Sequence, residues 1–291
     1  MAADVAALTR PIGDDAAAVL AQPSPLASFW AAFRENRGAV FGLAVFAIIV
    51  LLALTANVVA PHSPIDQFRD AVRAPPVWEK GGSWRFVLGT DGDGHDMLSR
   101  LIFGARVSLF IGLSVMCVSF IIGVALGLAA AMTGPIADVA ITRLMDLIMA
   151  VPSLVLAVLV VAVLGPSLAN TIIAVTIVYL PAYVRLARAS ALGELNKDYV
   201  TAARVVGVGP LRLATSTVLP NCLAPLIVQA ALGVSSAILE AAALGFLGLG
   251  AQPPTPEWGS MLADSREFIR SDPWIVTLQD WRFSSPSSPS I

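Results

Sequence analysis

Apolar residues in this chain fall in long unbroken runs rather than in alternation. Five such runs lie near residues 39–60, 107–132, 143–165, 168–188 and 223–249. A helix needs about 20 apolar residues to cross about 30 Å of hydrocarbon. Only helices or closed barrels satisfy every backbone group in lipid, and unbroken runs read as helices. The pattern therefore predicts an all-α membrane protein with five spans. The segment 1–38 precedes the first run, is rich in Ala and Pro, and carries no legible cleavable signal. The first span, 39–60, is expected to stay in the membrane as an anchor. A long polar connector, 61–106, separates it from a core at 107–278. Met97, Leu101 and Ile102 share one helical stripe, which predicts an interfacial helix at the end of that connector. A second long connector, 189–222, reads as helical from 194 to 215 with a break at Val208-Gly209-Pro210.

Composition agrees with the pattern. Hydrophobic residues make up 57% and charged residues 13%, and mean hydropathy is +0.79. A soluble domain is nearer 45–50% apolar and about 25% charged. The net charge of −2 leaves no electrostatic footprint for nucleic acid. The placement of positive charge matters more than its sum. Arg34 and Arg37 precede the first span, and Arg185, Arg188, Lys197, Arg204 and Arg212 lie in or beside the 189–222 connector. Positive charge marks the cytoplasmic side. Both the N-terminus and that connector are then cytoplasmic, as counting spans also requires. The basic 61–106 connector falls outside, where long loops obey the charge rule weakly.

Little in the sequence points to catalysis or a metal. His62 and His95 sit in no nucleophile pattern, and there is no P-loop. Cys117 and Cys222 form no CxxC or Cys/His cluster and read as small hydrophobes. The segment DGDGHD at 91–96 is faintly like a calcium loop, but Ile102 occupies the position where an EF-hand needs a bidentate Glu. No metal or cofactor is expected. Glu240 lies inside the fifth run, where an ionised carboxylate is costly. It either bonds locally to Ser235, Ser236 or a neighbouring helix, or lines a pathway or an interface. Arg143 and Asp146, at i and i+3, are expected to form a structural ion pair. Pro152 and Pro181 are positions for kinks.

The 189–222 connector carries the most specific pattern. It reads DYVTAARVVGVGPLRLATSTVLPN from Asp198 to Asn221. Ala202 and Ala203 allow another surface to approach closely. Gly207 permits a turn that a side chain hinders, and Pro220 is expected to fix the chain where the fifth span begins. A plain surface loop closed by turn residues fits these features equally well. The spacing, however, resembles the EAA loop of ABC importer permeases, E-A-A-x3-G-x9-I-x-L-P. Thr201, Ala202, Ala203, Gly207, Leu219 and Pro220 fall on it, with Thr201 replacing the Glu and Thr217 the Ile. Three further segments resemble the dipeptide/oligopeptide branch of that family: GTDGDGHDMLSRLIFGARVSL (89–109, with His95 where Arg is usual), RLMDLIMAVPSLVLA (143–157) and ILEAAALGFLGLGAQPPTPEWGSML (238–262).

The resemblance implies the transmembrane domain of a type I ABC importer in the bacterial inner membrane. It implies a second, homologous permease, two cytoplasmic ATPases and a periplasmic peptide-binding protein as partners. Catalysis would reside in those ATPases. The EAA-like loop would lie as a coupling helix in a groove of the ATPase, with Ala202, Ala203 and Gly207 in close contact and Pro220 passing motion to the fifth span. A secondary transporter or channel without an ATPase is the alternative class, an importer of nickel or another small solute the alternative cargo, and a membrane-bound enzyme more distant.

The resemblance also implies a sixth span after Pro273-Trp274, but the chain ends in a polar tail, QDWRFSSPSSPSI at 279–291. Read one base earlier, codons for that tail can encode PGLAIFLTVLAIN, an apolar stretch opening on Pro-Gly. A frameshift close to codon 278 is therefore expected to have removed the sixth span.

Overall fold

The computed structural model describes residues 25–268. The N-terminal segment before residue 25 and the 279–291 tail lie outside the described residues. Among the described residues the regular structure is helical, with one isolated β-bridge between Thr90 and Asp96. The chain divides into two units at Leu51/Leu52.

The first unit holds helix α1 (Pro25–Glu35) and most of α2 (Arg37–Leu54). Phe29, Trp30 and Phe33 stack along α1 with centroids 5.5–6.1 Å apart. Asn36 separates the two helices because its side-chain oxygen caps α2, accepting from the Ala39 N–H at 3.1 Å. Helix α2 is apolar all round, and Phe41, Phe46, Ile48 and Leu51 project from it. A helix with no polar face suits a lipid surround.

The second unit contains the short α3 (Ala56–Val59), then α4 (Met97–Met132), α5 (Pro135–Met149), α6 (Ser153–Leu164) and α7 (Leu168–Leu195). After these come α8 (Asp198–Val205), α9 (Pro210–Leu213), a π-turn (Ala214–Val218), α10 (Leu219–Phe246) and α11 (Trp258–Ser265). A final 3₁₀ turn covers Arg266–Phe268. Four helical stretches are long and apolar enough to cross a membrane: α2, α4, α7 and the continuous run from Pro210 to Phe246. The pair α5 and α6 makes a fifth if taken together, bent by 92° at its break.

The structure bears out one sequence expectation and corrects two. The stretch 143–165 bends at Pro152, as expected, by 92°. Pro152 has no N–H to offer and forces Val151 out of the helical region, so α5 ends at Met149 and α6 restarts at Ser153. The interfacial helix and the second span are one helix, α4, because no breaker separates 96–106 from 107–132. Its 36 residues extend about 54 Å. Pro220 does not begin the last span. The helix already runs from Pro210, and a π-turn immediately before Pro220 absorbs the missing N–H.

Helices α4 and α7 form the central pair. Water-driven collapse does not operate between helices in lipid, so association relies on close van der Waals contact. The sequence supplies it as Gly123-x-x-x-Gly127. A Cβ at Gly123 would lie 2.5 Å from the Tyr183 Cβ, and one at Gly127 would lie 2.6 Å from the Ala187 Cβ. Helix α10 packs on both, and a Cβ at Gly112 would meet Ile238 at 2.6 Å. The core has two parts. One joins Ile111 and Val115 of α4 to Ala157 and Val161 of α6, Ala174 and Val175 of α7, and Ala237 and Ala241 of α10. The other lies at the far end of α4, where Val124 meets Ala187, Ala191, Val200, Leu213, Val218 and Leu226.

Gly127→Val is expected to overpack the α4–α7 crossing by about 1–3 kcal/mol. Thermal unfolding of the purified chain in detergent checks this. The variant should melt below wild type, whereas Gly42→Val, at a position open on every side, should not.

Candidate functional site

The two ends of the α4–α7–α10 bundle carry different surfaces. At the end where α7 finishes, Val200 is fully buried and pins α8 to the second core. The entrance to α8 is tied to α7: Lys197 Nζ meets Glu194 at 2.9 Å, and the Tyr199 hydroxyl donates to the same carboxylate. That bond pushes the Tyr199 phenol up to about 12, so it remains a donor.

Thr201 and Ala202 lie exposed on α8, while Ala203 is half-buried against the second core. The helix closes in a Schellman turn. Gly207 N–H bonds the Arg204 carbonyl at 3.0 Å and Val208 N–H the Ala203 carbonyl at 3.1 Å. Gly207 adopts φ +84°, the left-handed conformation that a side chain disfavours. Pro210 then opens α9 at its first turn. The tip between the helices presents Val205, Val206 and Leu211, which are 82%, 83% and 77% exposed. Arg204 and Arg212 flank it, also exposed. Leu219 packs on the second core and Pro220 is exposed on α10. The expected loop residues thus divide between a solvent-facing set (Thr201, Ala202, Gly207) and a core-facing set (Ala203, Leu219). Val200, Leu213 and Val218 join the two sets.

The intramembrane positions differ from expectation. Asp146 pairs with Arg185 of α7 at 2.6 Å rather than with Arg143, because α7 lies alongside α5 and brings its guanidinium nearer. Asp138 and Arg188 make a second, bidentate bridge between the same helices. Of the two readings of Glu240, the local bond to Ser235 or Ser236 is not made. The Ser235 hydroxyl donates instead to the Leu232 carbonyl at 2.9 Å. The Glu240 Oε1 is buried with no partner, beside Tyr179.

At the opposite end, residues 60–96 close over the start of α4. Asp96 caps α4, accepting from the Ser99 N–H at 3.2 Å and its hydroxyl at 2.5 Å. His62 lies 3.3 Å from Asp96 and packs between Phe68 and Phe86. In the 91–96 loop, Asp91 Oδ1 accepts from the N–H groups of Asp93 (3.0 Å) and His95 (2.8 Å), and its Oδ2 accepts from Arg100 at 2.9 Å. Those donors hold the DGDGHD turn. No group of His, Cys, Asp or Glu among the described residues is arranged to hold a metal.

Helix α11 packs on the same end. Trp258 Nε1 donates to the Leu101 carbonyl at 3.1 Å. Glu257 is 1% exposed and caps α11, accepting from the Gly259 N–H (2.8 Å) and the Ser260 N–H (3.0 Å). Burial pushes its pKa up, and those two bonds pull it back. Sequence reasoning missed Asp91, Arg100 and Glu257 as organisers. Glu257 had a local signal, an acceptor directly before a helix, but Glu is a weak member of the capping set. The Asp138–Arg188 bridge spans fifty positions and had no local signal.

This arrangement matches known proteins. One chain of the inward-facing MetNI methionine ABC transporter superposes with a TM-score of 0.54 at 18% identity, covering 64% of this chain and 89% of that one. The fold is therefore that of a type I ABC importer permease. Residues 123–277 match the family described as binding-protein-dependent transport system inner membrane component, and residues 24–76 match the N-terminal transmembrane domain of oligopeptide transport permease C. The di/tripeptide transport system permease protein DppC of Pseudomonas aeruginosa (strain UCBPP-PA14) is 59% identical over 259 residues, covering 89% of this chain and 86% of that protein. The dipeptide transport system permease protein DppC of Escherichia coli (strain K12) is 54% identical over 254 residues, covering 87% and 85%. The chain belongs to the binding-protein-dependent ABC importer permeases, in their dipeptide/oligopeptide branch. It is a multi-pass protein of the inner membrane.

Glu257→Ala is expected to cost about 2 kcal/mol, because two N–H groups lose their buried acceptor. Its pH dependence has a definite sign. The folded-state pKa is raised above the unfolded value, so this carboxyl contributes stability that is present in acid and lost as pH rises through the folded value. Melting temperatures in detergent across the acid-to-neutral range check both. Wild type should lose stability relative to Glu257→Gln as pH rises.

Proposed function

We propose that this chain is the permease subunit of an ATP-driven importer and forms part of the pathway for dipeptides or oligopeptides across the inner membrane. The N-terminus and α8 face the cytoplasm, and residues 61–96 with α11 face the periplasm. A second homologous permease completes the pathway, two cytoplasmic ABC ATPases drive it, and a periplasmic binding protein delivers the peptide. The chain itself catalyses nothing. The names of the DppC relatives support the cargo class.

One observation carries the coupling role. The apolar tip at Val205, Val206 and Leu211 projects from a helix whose root, Val200, sits in one cluster with Val218 and Cys222 at the start of α10. An exposed apolar helix tip flanked by two arginines fits a groove on another protein. Closure of the ATPases moves this tip. The shared packing makes the end of α10 follow, since a close-packed cluster transmits displacement rather than absorbing it. Thr201 lacks the carboxylate usual at that point of the EAA pattern, so docking here relies on apolar contact and on Arg204 and Arg212.

We also propose that the 279–291 tail is read out of frame. The family match ends at residue 277, beside the proposed shift. Resequencing the locus tests this: an intact sixth span in the corrected frame is the expected result, and an unchanged reading frame contradicts it.

The coupling role predicts the behaviour of the assembled complex. Ala202→Trp and Val206→Asp, both at exposed positions, should each lower co-purification of the ATPases at least about tenfold, a loss of about 1.4 kcal/mol or more. Insertion and yield of the permease should not change. Equal ATPase recovery from wild type and variants would refute the coupling assignment and favour a transporter without an ATPase.

A further inference from the structure

A cavity of about 570 Å³ opens at the outer end of the bundle, between the 91–93 turn, the first turns of α4, the end of α10 and the end of α11. Its size lies within the range of small-ligand pockets, about 300–1,000 Å³. Its lining is of mixed sign. Asp93 and Asp264 bring carboxylates to it, and Arg100 and Arg266 bring guanidiniums. Phe246 and Phe268 add apolar wall, with the Phe268 ring under the Arg73 guanidinium at 5.8 Å.

These charges are not all spent on one another. Asp91 is engaged, since Arg100 and His95 both meet it within 3.0 Å. Arg100 is nine-tenths buried, with a side chain 10% exposed, and its Nε has no partner. Asp264 reaches solvent at the mouth and makes no ion pair. The walls nonetheless crowd its carboxyl and push its pKa up; Arg100 opposes that rise, and Asp93 and Asp91 add to it. Asp93 and Arg266 are exposed at the rim. The buried Arg100 Nε is expensive to leave without a partner, while the two carboxylates at the mouth remain open to a ligand.

The mixture selects the ligand. A phosphate or another simple anion would face carboxylates. A divalent cation has no ligand group arranged for it among the described residues. A short peptide carries an ammonium at one end, a carboxylate at the other and side chains between them. We propose that this cavity is a binding subsite for zwitterionic short peptides, in which Asp93 and Asp264 receive the α-ammonium and Arg100 and Arg266 the α-carboxylate. The proposal rests on the importer reading above, with this end of the bundle facing the binding protein. The cavity then receives peptide at the mouth of the pathway.

The test uses the assembled complex in lipid nanodiscs without binding protein. Binding of dialanine is followed by saturation-transfer NMR against N-acetyl-dialanine amide, which has the same backbone and no charge. Wild type should bind dialanine and not the blocked analogue. Asp264→Asn and Arg266→Ala, both at the cavity rim, should each weaken dialanine at least about tenfold, while Glu79→Gln, exposed on the 60–96 connector, should bind as wild type. Asp93→Asn replaces Asp264→Asn if that variant assembles poorly. Equal binding of dialanine and the blocked analogue overturns the proposal, as does undiminished dialanine binding by both rim variants. Rim variants that bind dialanine normally but no longer hold the binding protein overturn it in favour of a protein-docking surface. ATP-dependent dialanine uptake in the full system, without binding here, defeats the subsite and leaves the importer reading intact. Binding here without such uptake does the reverse.

Discussion

The backbone-close crossing of α4 on α7 at Gly123 and Gly127 positions the rest of the second unit. In lipid, two apolar helices gain little from merely touching, because the acyl chains they displace are equally apolar. Association requires surfaces that meet more closely than lipid meets either, and glycine opposite Tyr183 and Ala187 provides that. With this pair fixed, α10 lies on both helices and α6 closes the first core. The ion pairs Asp138–Arg188 and Asp146–Arg185 hold α5 alongside α7. They set its direction more than its stability, since both are partly or fully exposed to solvent in the isolated chain.

The bundle places two distinct surfaces at its ends. At one, α8 is rooted by Val200 and presents Val205, Val206 and Leu211 outward. At the other, buried polar contacts among Asp91, His95, Arg100, Asp96 and Ser99 fasten the 60–96 connector to α4. The same helix pair spans both ends, and the helix that becomes α10 reaches from the exposed tip beside α8 to the cavity at the opposite end. A displacement of α8 therefore has a continuous, packed route to the wall formed by Phe246 and Gly248. The π-turn at Ala214–Val218 stands in that route, just before Pro220, where helical geometry is least constrained.

Much of this was legible in the residues. Continuous apolar runs gave the spans, because lipid demands them whatever the tertiary contacts are. The loop spacing around Thr201, Ala202, Ala203 and Gly207 marked the region of α8 and made Gly207 a turn position, but the helix ends at Val205, before the break expected at Val208-Gly209-Pro210. Boundaries were less legible. The Met97 stripe and the following run formed one helix because no residue between them breaks it. The bend in the third run was legible at Pro152, but its 92° size was not, because hydropathy does not register how far a proline redirects a backbone. Pro220 lay inside a helix because the π-turn relieved it. Long-range partners were illegible altogether. Arg143 was the nearest charge to Asp146 in sequence, but Arg185 was nearer in space. Glu240 had hydroxyls close by in sequence, but the Leu232 carbonyl took that of Ser235.

ATP hydrolysis in partner subunits, acting at the α8 end, is proposed to drive this bundle. The most direct measurement is uptake of labelled dialanine into liposomes that contain this chain, its partner permease and the ATPases, with binding protein on the outer side. Uptake should require both ATP on the α8 side and the binding protein, and ion gradients alone should not support it. Uptake driven by a proton or sodium gradient without ATP would contradict this proposal.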